Sequence, residues 1–293
     1  MHSPKVSIGL PVYNGEKYLY EALGSLRSQS YSDFELIISD NASTDNTARI
    51  ALGFANRDPR IRYYRNLTNI GAAPNFGRTL DLARGEFFKW ACADDVHLPD
   101  FLARCVEMLS AAPPEVALVA PRTFVIDEKG KTLVDGNRFL PERLATHAKT
   151  PHGRLADILP LLKWSSAQFG LFRTETLRKT RGIAPFEISD RVLLAETALL
   201  GEIWEVDEPL FGYRYHGGKS TELNKNEKDY AVWMDPSSNG KRPLLFLEYV
   251  RSVKRLPLSP VERALCLSVI AGVWVKKESG KWLKKKTKNL LPC

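Results

Sequence analysis

The sequence is poor in cysteine and lacks a long apolar run, and both absences restrict the class of protein. Only four of its 293 residues are cysteines, and none stand in C-x-x-C spacing, which argues against a thiolate zinc site and a disulfide framework. The longest uncharged apolar stretch covers residues 264–275. It falls short of the roughly 18 residues that a membrane-spanning helix needs. Residues 1–5 show no secretory signal pattern. These absences predict a cytoplasmic protein.

Two common nucleotide-binding motifs are also absent. No G-x-G-x-x-G follows the first predicted strand, so a dinucleotide cofactor is not expected. The segment GGKS at 217–220 resembles the end of a P-loop, but the glycine that the motif requires at position 213 is Tyr213. A nucleotidyltransferase on a related sheet needs a glycine- and arginine-rich phosphate loop, which residues 11–15 do not provide.

Positive charge is concentrated near one end of the chain. Lysine and arginine outnumber aspartate and glutamate by 42 to 34, a net charge of +8. Seven lysines and one glutamate at 276–288 contribute +6 of it, so the rest of the chain is nearly neutral. This tail follows an apolar helical pattern and fits either a solvated end or a peripheral contact with an anionic membrane. No nucleic-acid-binding module accompanies it, so nucleic acid is not an expected partner.

Strand and helix signals alternate over the first 120 residues. The predicted strands cover residues 6–10, 34–38, 61–64, 87–92 and 116–120, with helices between them. Runs such as ELIIS and VALVA show little alternation, which is typical of strands covered on both faces. The repetition predicts an α/β fold with a mostly parallel sheet, whose ligand site lies at the carboxyl ends of the strands. Further helices are predicted at 190–200, 244–253 and 260–275, and a final strand at 211–215.

Polar residues follow several of these strands. The first strand leads into residues 11–15, the second ends at Asp40, and the fourth leads to Asp94 and Asp95. Carboxylates that meet at one sheet edge attract a hard divalent cation, which in turn neutralises a phosphate-rich ligand. Asp94 and Asp95 alone also fit an N-cap for the helix that follows. Their position after an apolar strand of an alternating fold favours the metal site.

Two long segments resemble the inverting glycosyltransferases of family 2. VSIGLPVYNGEKYLYEALGSLRSQSYSDFELIISDNASTDNT at 6–47 is similar to the family's opening. TNIGAAPNFGRTLDLARGEFFKWACADD at 68–95 is similar to the segment that leads to its D-x-D motif. The resemblance extends to about residue 220. It implies a GT-A catalytic domain at 1–223, with a Rossmann-like sheet flanked by helices, and a C-terminal helical extension with a basic tail at 224–293.

The resemblance also implies roles for residues near the donor. Asp40 accepts a hydrogen bond from the nucleotide base, and Asp94 faces the ribose or donor sugar. Asp95 ligates Mn²⁺ or Mg²⁺, which bridges the diphosphate. The other implied nucleotide-sugar-binding residues are Pro11 and Tyr13 near the base and Asn69 and Gly71 in a loop that approaches the donor. Cys92 departs from the pattern, because many relatives have a further aspartate there.

The remaining functional residues come from later in the chain. An inverting transfer needs a carboxylate base for the acceptor hydroxyl, and Asp190 resembles the family's catalytic acid before a helix. Its alternative role is an ordinary N-cap. Glu187 is the second candidate for the base, whereas Glu196 is expected on the helix surface, outside the cleft.

A histidine near the end of the resemblance adds a further expectation. In EPLFGYRYHGGKST, His216 is expected either to ligate the metal or diphosphate, or to close over the donor without ligating. Arg214 and Lys219 are nearby cations for phosphate oxygens.

These features together predict a metal-dependent inverting hexosyltransferase. It would move a sugar from a nucleotide-diphosphate donor, expected to be a UDP-sugar, to a hydroxyl of a saccharide or lipid-linked saccharide. The expected setting is cell-surface polysaccharide or glycolipid synthesis, in the cytoplasm or peripherally on the cytoplasmic face of the membrane. The alternative is an inactive GT-A homologue that binds a sugar nucleotide or a partner, for which Cys92 is the only hint.

Overall fold

A computed structural model describes residues 3–133, 143–163, 165–218, 227–237 and 244–288 of the chain, without the side chains of Glu227 and residues 277–288. The strands are β1 Val6–Val12, β2 Phe34–Asp40, β3 Ile61–Arg65, β4 Phe87–Trp90, β5 Val96–His97, β6 Val116–Ile126, β7 Leu171–Arg173 and β8 Glu202–Arg214. The helices are α1 Glu16–Arg27, α2 Thr47–Ala55, α3 Ala72–Asp81, α4 Phe101–Ala111, α5 Pro151–Ile158, α6 Thr174–Lys179, α7 Ser189–Leu200, α8 Glu227–Met234, α9 Leu245–Arg255 and α10 Pro260–Lys288, with a 3₁₀ turn at Ser166–Phe169.

All eight strands form one mixed sheet in the order β3-β2-β1-β4-β7-β6-β8-β5. β1 pairs in parallel with β2 and β4, β2 with β3, and β6 with β8. The short β7 lies antiparallel between β4 and β6, and β5 pairs antiparallel with β8. The parallel strands β1, β2 and β4 therefore end at the same edge of the sheet. The predicted α/β fold is confirmed.

Helices cover both faces of the parallel half of the sheet, which explains why its strands are buried almost throughout. All seven residues of β2 are buried, as are all residues of β1 except Pro11, which is half-buried. Helix α3 lies very close to β1 at Gly9, where a Cβ atom would come within 2.4 Å of the Thr79 hydroxyl. Only glycine fits this approach.

The C-terminal helices are tied to this body by buried charges. Glu196 of α7 is fully buried, and its carboxylate pairs with Arg181 at 2.9 Å and with Arg255 of α9 at 2.8 Å. Ser252 of α9 donates a hydrogen bond of 2.7 Å to the same carboxylate. The expectation of a surface glutamate was wrong, because helical spacing does not reveal that α9 folds back onto α7.

A lysine is buried in the middle of the sheet. Lys89 of β4 is fully buried, its Nζ donates to the Trp90 carbonyl at 2.8 Å, and it lies 2.9 Å from Nε2 of His97. Burial lowers the pKa of Lys89 from 10.5 to about 7. Between these values the unfolded chain holds a proton that the folded protein releases, so this group makes folding more favourable as pH rises from 7 to 10.5.

We therefore expect Lys89→Met to stabilise the fold at low pH. The gain should be on the order of 2 kcal/mol at pH 6.5, after the lost hydrogen bonds are subtracted, and should shrink towards pH 10. Urea unfolding at several pH values measures it, and Lys129→Met, at an exposed position, is the matched control. A gain independent of pH would contradict the assignment of a buried, titrating amine.

Candidate functional site

The loops after β1 and β2 are bound together at the carboxyl edge of the sheet. The backbone amide of Asn14 donates to Ser43 Oγ at 2.9 Å, and the Asn14 side chain accepts from the amide of Thr44 at 2.8 Å. Asn14 takes a left-handed conformation with φ 49°, which suits asparagine better than most residues. The turn leaves the Tyr13 side chain 44% exposed beside Pro11, so an aromatic ring is available to a ligand.

Asp40 lies at the end of β2 and is completely buried. Its Oδ1 accepts from the Ser43 amide at 2.8 Å, and its Oδ2 accepts from Tyr63 Oη at 2.6 Å and from Arg65 at 2.8 Å. The carboxylate thus shapes the loop after β2 and holds the half-exposed Arg65 in place. Its contact with a nucleotide base stays a prediction. Because the carboxylate is completely buried, a base could reach it only after the side chains that cover it move.

A network of asparagines supports the loop before α3. The Asn41 side chain donates to Asn69 Oδ1 at 2.7 Å and to the Gly71 carbonyl at 3.1 Å. Gly71 has φ 90°, and a Cβ atom there would lie 2.6 Å from the Pro236 ring, just beyond α8. The loop that contains Asn69 and Gly71 therefore lies on the same sheet edge and is covered by the segment 234–236.

Two carboxylates and a thiol follow β4. Ligand atoms of Cys92, Asp94 and Asp95 lie within 4.8 Å of one another. Asp95 is 1% exposed, and Asp94 is half-buried. The two carboxylates offer the oxygen ligands that Mg²⁺ and Mn²⁺ prefer, while the thiol is a softer ligand. This donor set fits a divalent cation. The N-cap reading of Asp94 and Asp95 was wrong, because α4 has its N-cap at Asp100.

Arg214, at the end of β8, fixes the position of both aspartates. Its backbone amide donates to Asp95 Oδ1 at 2.9 Å, and its Nε donates to the Asp94 carbonyl at 2.7 Å. The guanidinium is 1% exposed and also pairs with Glu21 at 2.6 Å. The expectation that Arg214 holds phosphate oxygens was therefore wrong, since its donors are turned to the protein. Lys219, the other expected cation, lies outside the described residues.

His216 stands beside the same carboxylates. The amide of Gly218 donates to its Nδ1 at 3.2 Å, so the ring proton is assigned to Nε2, which donates to Asp94 Oδ2 at 2.9 Å. The ring packs on Tyr18 with centroids 4.7 Å apart. His216 is thus placed to orient Asp94. With the proton on Nε2 and Nδ1 accepting from the Gly218 amide, the ring offers no free lone pair to a cation in this arrangement.

Asp190 lies in the first turn of α7 and is half-buried. The N-cap of α7 is Ile188, in a left-handed conformation with φ 63°, so Asp190 does not cap the helix. Burial raises the pKa of Tyr230 in α8, and the nearby charges of Asp190 and Glu187 raise it further. The charges of both candidate bases therefore act on Tyr230 of α8.

Helix α8 was not predicted from the sequence. It links two parts of the site. It packs against α3, Met234 and the two residues after it cover Gly71, and Tyr230 lies close to Asp190. Eight residues with weak amphipathic spacing give little helical signal. The boundary drawn at 223/224 therefore separates elements that meet at the site.

The sheet and the carboxylates at its carboxyl edge define the GT-A fold of nucleotide-sugar transferases. The chain belongs to glycosyl transferase family 2, whose family model matches residues 7–162. A glycosyltransferase of Rickettsia conorii is 35% identical over 131 residues, 44% of this chain and 21% of that protein. The chain spans between 21% and 49% of the length of the first curated relatives that it matches.

Two solved structures share the fold at low sequence identity. Residues 1–349 of S. aureus TarS in complex with UDP-GlcNAc align with a TM-score of 0.64 and 18% identity, over 92% of this chain and 72% of that one. The mannosyltransferase PcManGT from Pyrobaculum calidifontis, in complex with GDP-Man and Mn²⁺, aligns with a TM-score of 0.56 and 16% identity, over 99% and 81% of the chains.

Proposed function

We propose that this chain transfers a sugar from a nucleotide-diphosphate donor to a hydroxyl acceptor with inversion. The observation that carries the proposal is the pair Asp94 and Asp95, held by Arg214 at the sheet edge where β1, β2 and β4 end. This pair can bind a cation, and the neighbouring loops leave Tyr13 exposed for a base. UDP-GlcNAc and GDP-Man in the two similar structures support a nucleotide-sugar donor, and we propose a UDP-sugar.

In this proposal the donor lies along the three loops. Pro11 and Tyr13 pack against the base, with Asp40 beneath them, and Asn69 and Gly71 shape the wall towards the donor. Asp94 faces the ribose or donor sugar, while Asp95 would hold Mn²⁺ or Mg²⁺. His216 would join it as a ligand only if Nε2 gave up its proton and its hydrogen bond to Asp94. Such a cation supplies Lewis-acid stabilisation of the diphosphate that leaves. While Nε2 keeps its proton, His216 donates to Asp94 and holds that carboxylate in one orientation.

The acceptor side of the reaction is assigned to Asp190. A carboxylate there would take the proton of the acceptor hydroxyl as its oxygen attacks the anomeric carbon. Helix α8 is the element between the two sides of the site, since the segment 234–236 covers Gly71 and the charge of Asp190 acts on Tyr230. A saccharide or lipid-linked saccharide acceptor, in polysaccharide or glycolipid synthesis at the cytoplasmic face of the membrane, stays a prediction.

Thermal unfolding of the full chain with nucleotides tests this function. We expect UDP with Mn²⁺ to raise the melting temperature by several degrees, because a ligand that binds only the folded state stabilises it by about 3 kcal/mol at 100 times its Kd. EDTA should abolish this shift, and CMP with Mn²⁺ should give none. A panel of UDP- and GDP-sugars, followed by release of UDP or GDP, then identifies the donor. Binding without any turnover would support the inactive homologue, and no binding at all would contradict both.

A further inference from the structure

Helix α10 carries an apolar stripe on the side that faces away from the protein. Val261 is 69% exposed, Leu265 is 40% exposed and Val275 is 64% exposed. Ser268 and Gly272, both exposed, complete the series 261, 265, 268, 272 and 275, which follows one face of a helix. The stripe therefore contains no charged residue over four helical turns.

The opposite side of α10 already serves as the packing face. Cys266 is fully buried and Ile270 is 2% exposed, and the helix packs against α5 and α9. Trp274 contacts Phe246 of α9 with ring centroids 5.4 Å apart. A helix on the surface of a soluble protein normally has charged residues opposite its packing face. Here residues 264–275 are uncharged on every side of the helix. The exposed stripe is therefore expected to contact a further partner, in addition to α5 and α9 on the packing face.

The same helix continues into the basic part of the sequence. Its backbone is helical to Lys288, and residues 276–288 contain seven lysines and one glutamate, a net charge of +6. No helix in the described part of the chain is long and apolar enough to cross a membrane. An apolar stripe that runs into clustered lysines is the pattern of a helix that lies in a membrane interface.

We propose that the outer face of α10 docks on an anionic phospholipid surface, with the stripe 261–275 at the acyl boundary and the lysines at 276–288 among the headgroups. Charge complementarity favours this occupant over a second copy of the chain, since a second copy adds the same positive charge. The helix would lie flat, because its 29 residues span about 43 Å while only part of them is apolar. This proposal is independent of the proposed reaction.

Co-sedimentation of the full chain with vesicles tests the proposal. We expect partition into vesicles of 30% phosphatidylglycerol in phosphatidylcholine to be at least tenfold stronger than into phosphatidylcholine alone, and to fall with salt. The triple change Val261→Ser, Leu265→Ser and Val275→Ser should weaken partition at least tenfold. Glutamine at five tail lysines, Lys281, Lys284, Lys285, Lys286 and Lys288, should remove the preference for anionic lipid.

A matched control shows whether vesicle binding depends on the stripe or on any exposed apolar side chain. Serine at three other exposed leucines, Leu52, Leu67 and Leu161, which are 45%, 101% and 42% exposed, should leave partition unchanged. Equal partition into both kinds of vesicle, or none, overturns the proposal. So does a dimer in sedimentation equilibrium that the triple variant converts to monomer without any vesicle binding. The lysine variants leave residues 260–276 unchanged, so they test the idea even if the stripe variant does not fold.

Discussion

Asp95→Asn is expected to lower turnover of the nucleotide-sugar donor by about 10³-fold, the loss of several kcal/mol of transition-state stabilisation that a bound cation provides. The Asp95 carboxylate is 1% exposed and accepts a hydrogen bond from the Arg214 amide at 2.9 Å. Asparagine keeps the size of the side chain and the accepting oxygen. The change therefore removes one negative charge from the cluster with Cys92 and Asp94 and leaves the packing in place.

Two measurements separate this effect from unfolding. The melting temperature of the variant without ligands should stay close to that of the parent, while the further rise with Mn²⁺ and UDP should disappear. Asp81→Asn, which removes an exposed carboxylate at the end of α3, is the matched control and should keep full turnover. Near-normal turnover in Asp95→Asn would place the cation elsewhere or show that the reaction does not need one.

The strands that form the site were predictable because their signals are local. β1, β2 and β4 are mainly apolar and buried on both faces, and residues of the site lie at or within a few positions of the end of each strand. Parallel strands then bring those ends together, whatever the rest of the chain does. For this reason the neighbourhood of Tyr13, Asp40 and Asp94 could be predicted without knowing the other half of the sheet.

The elements and roles that were not predicted from the sequence depend on contacts between segments that are distant along the chain. β7 has three residues and exists because it pairs with β4 and β6. β8 begins at Glu202, nine residues before the predicted strand, because polar residues and a proline hide it. Arg214 was read as a ligand of phosphate, since its partners Glu21 and Asp94 are over 100 residues away in sequence. From the neighbouring sequence alone, a buried arginine that positions other site residues cannot be distinguished from an arginine that binds an anion.

The last site assignment concerns the base, for which Asp190 and Glu187 compete. Asp190→Asn is expected to lower sugar transfer by about 10²- to 10⁴-fold, the usual contribution of a general base. Binding of UDP with Mn²⁺, measured as the thermal shift, should be unchanged, because Asp190 lies in α7 and is not part of the cluster with Asp95. The pH profile of the remaining activity should also lose the rise that ionisation of the base produces.

Glu187→Gln is the matched comparison. The pKa of Tyr230 is raised mainly by burial, and the charges of Asp190 and Glu187 both raise it further, so the two carboxylates share the same surroundings. Asp190 lies inside the first turn of α7, and Ile188, in a left-handed conformation, is the N-cap. Asp190 is therefore not the N-cap residue of this helix. We therefore expect Glu187→Gln to keep at least a third of the transfer rate. The reverse result, with loss of transfer in Glu187→Gln and full activity in Asp190→Asn, would assign the base to Glu187 and leave the donor site as described.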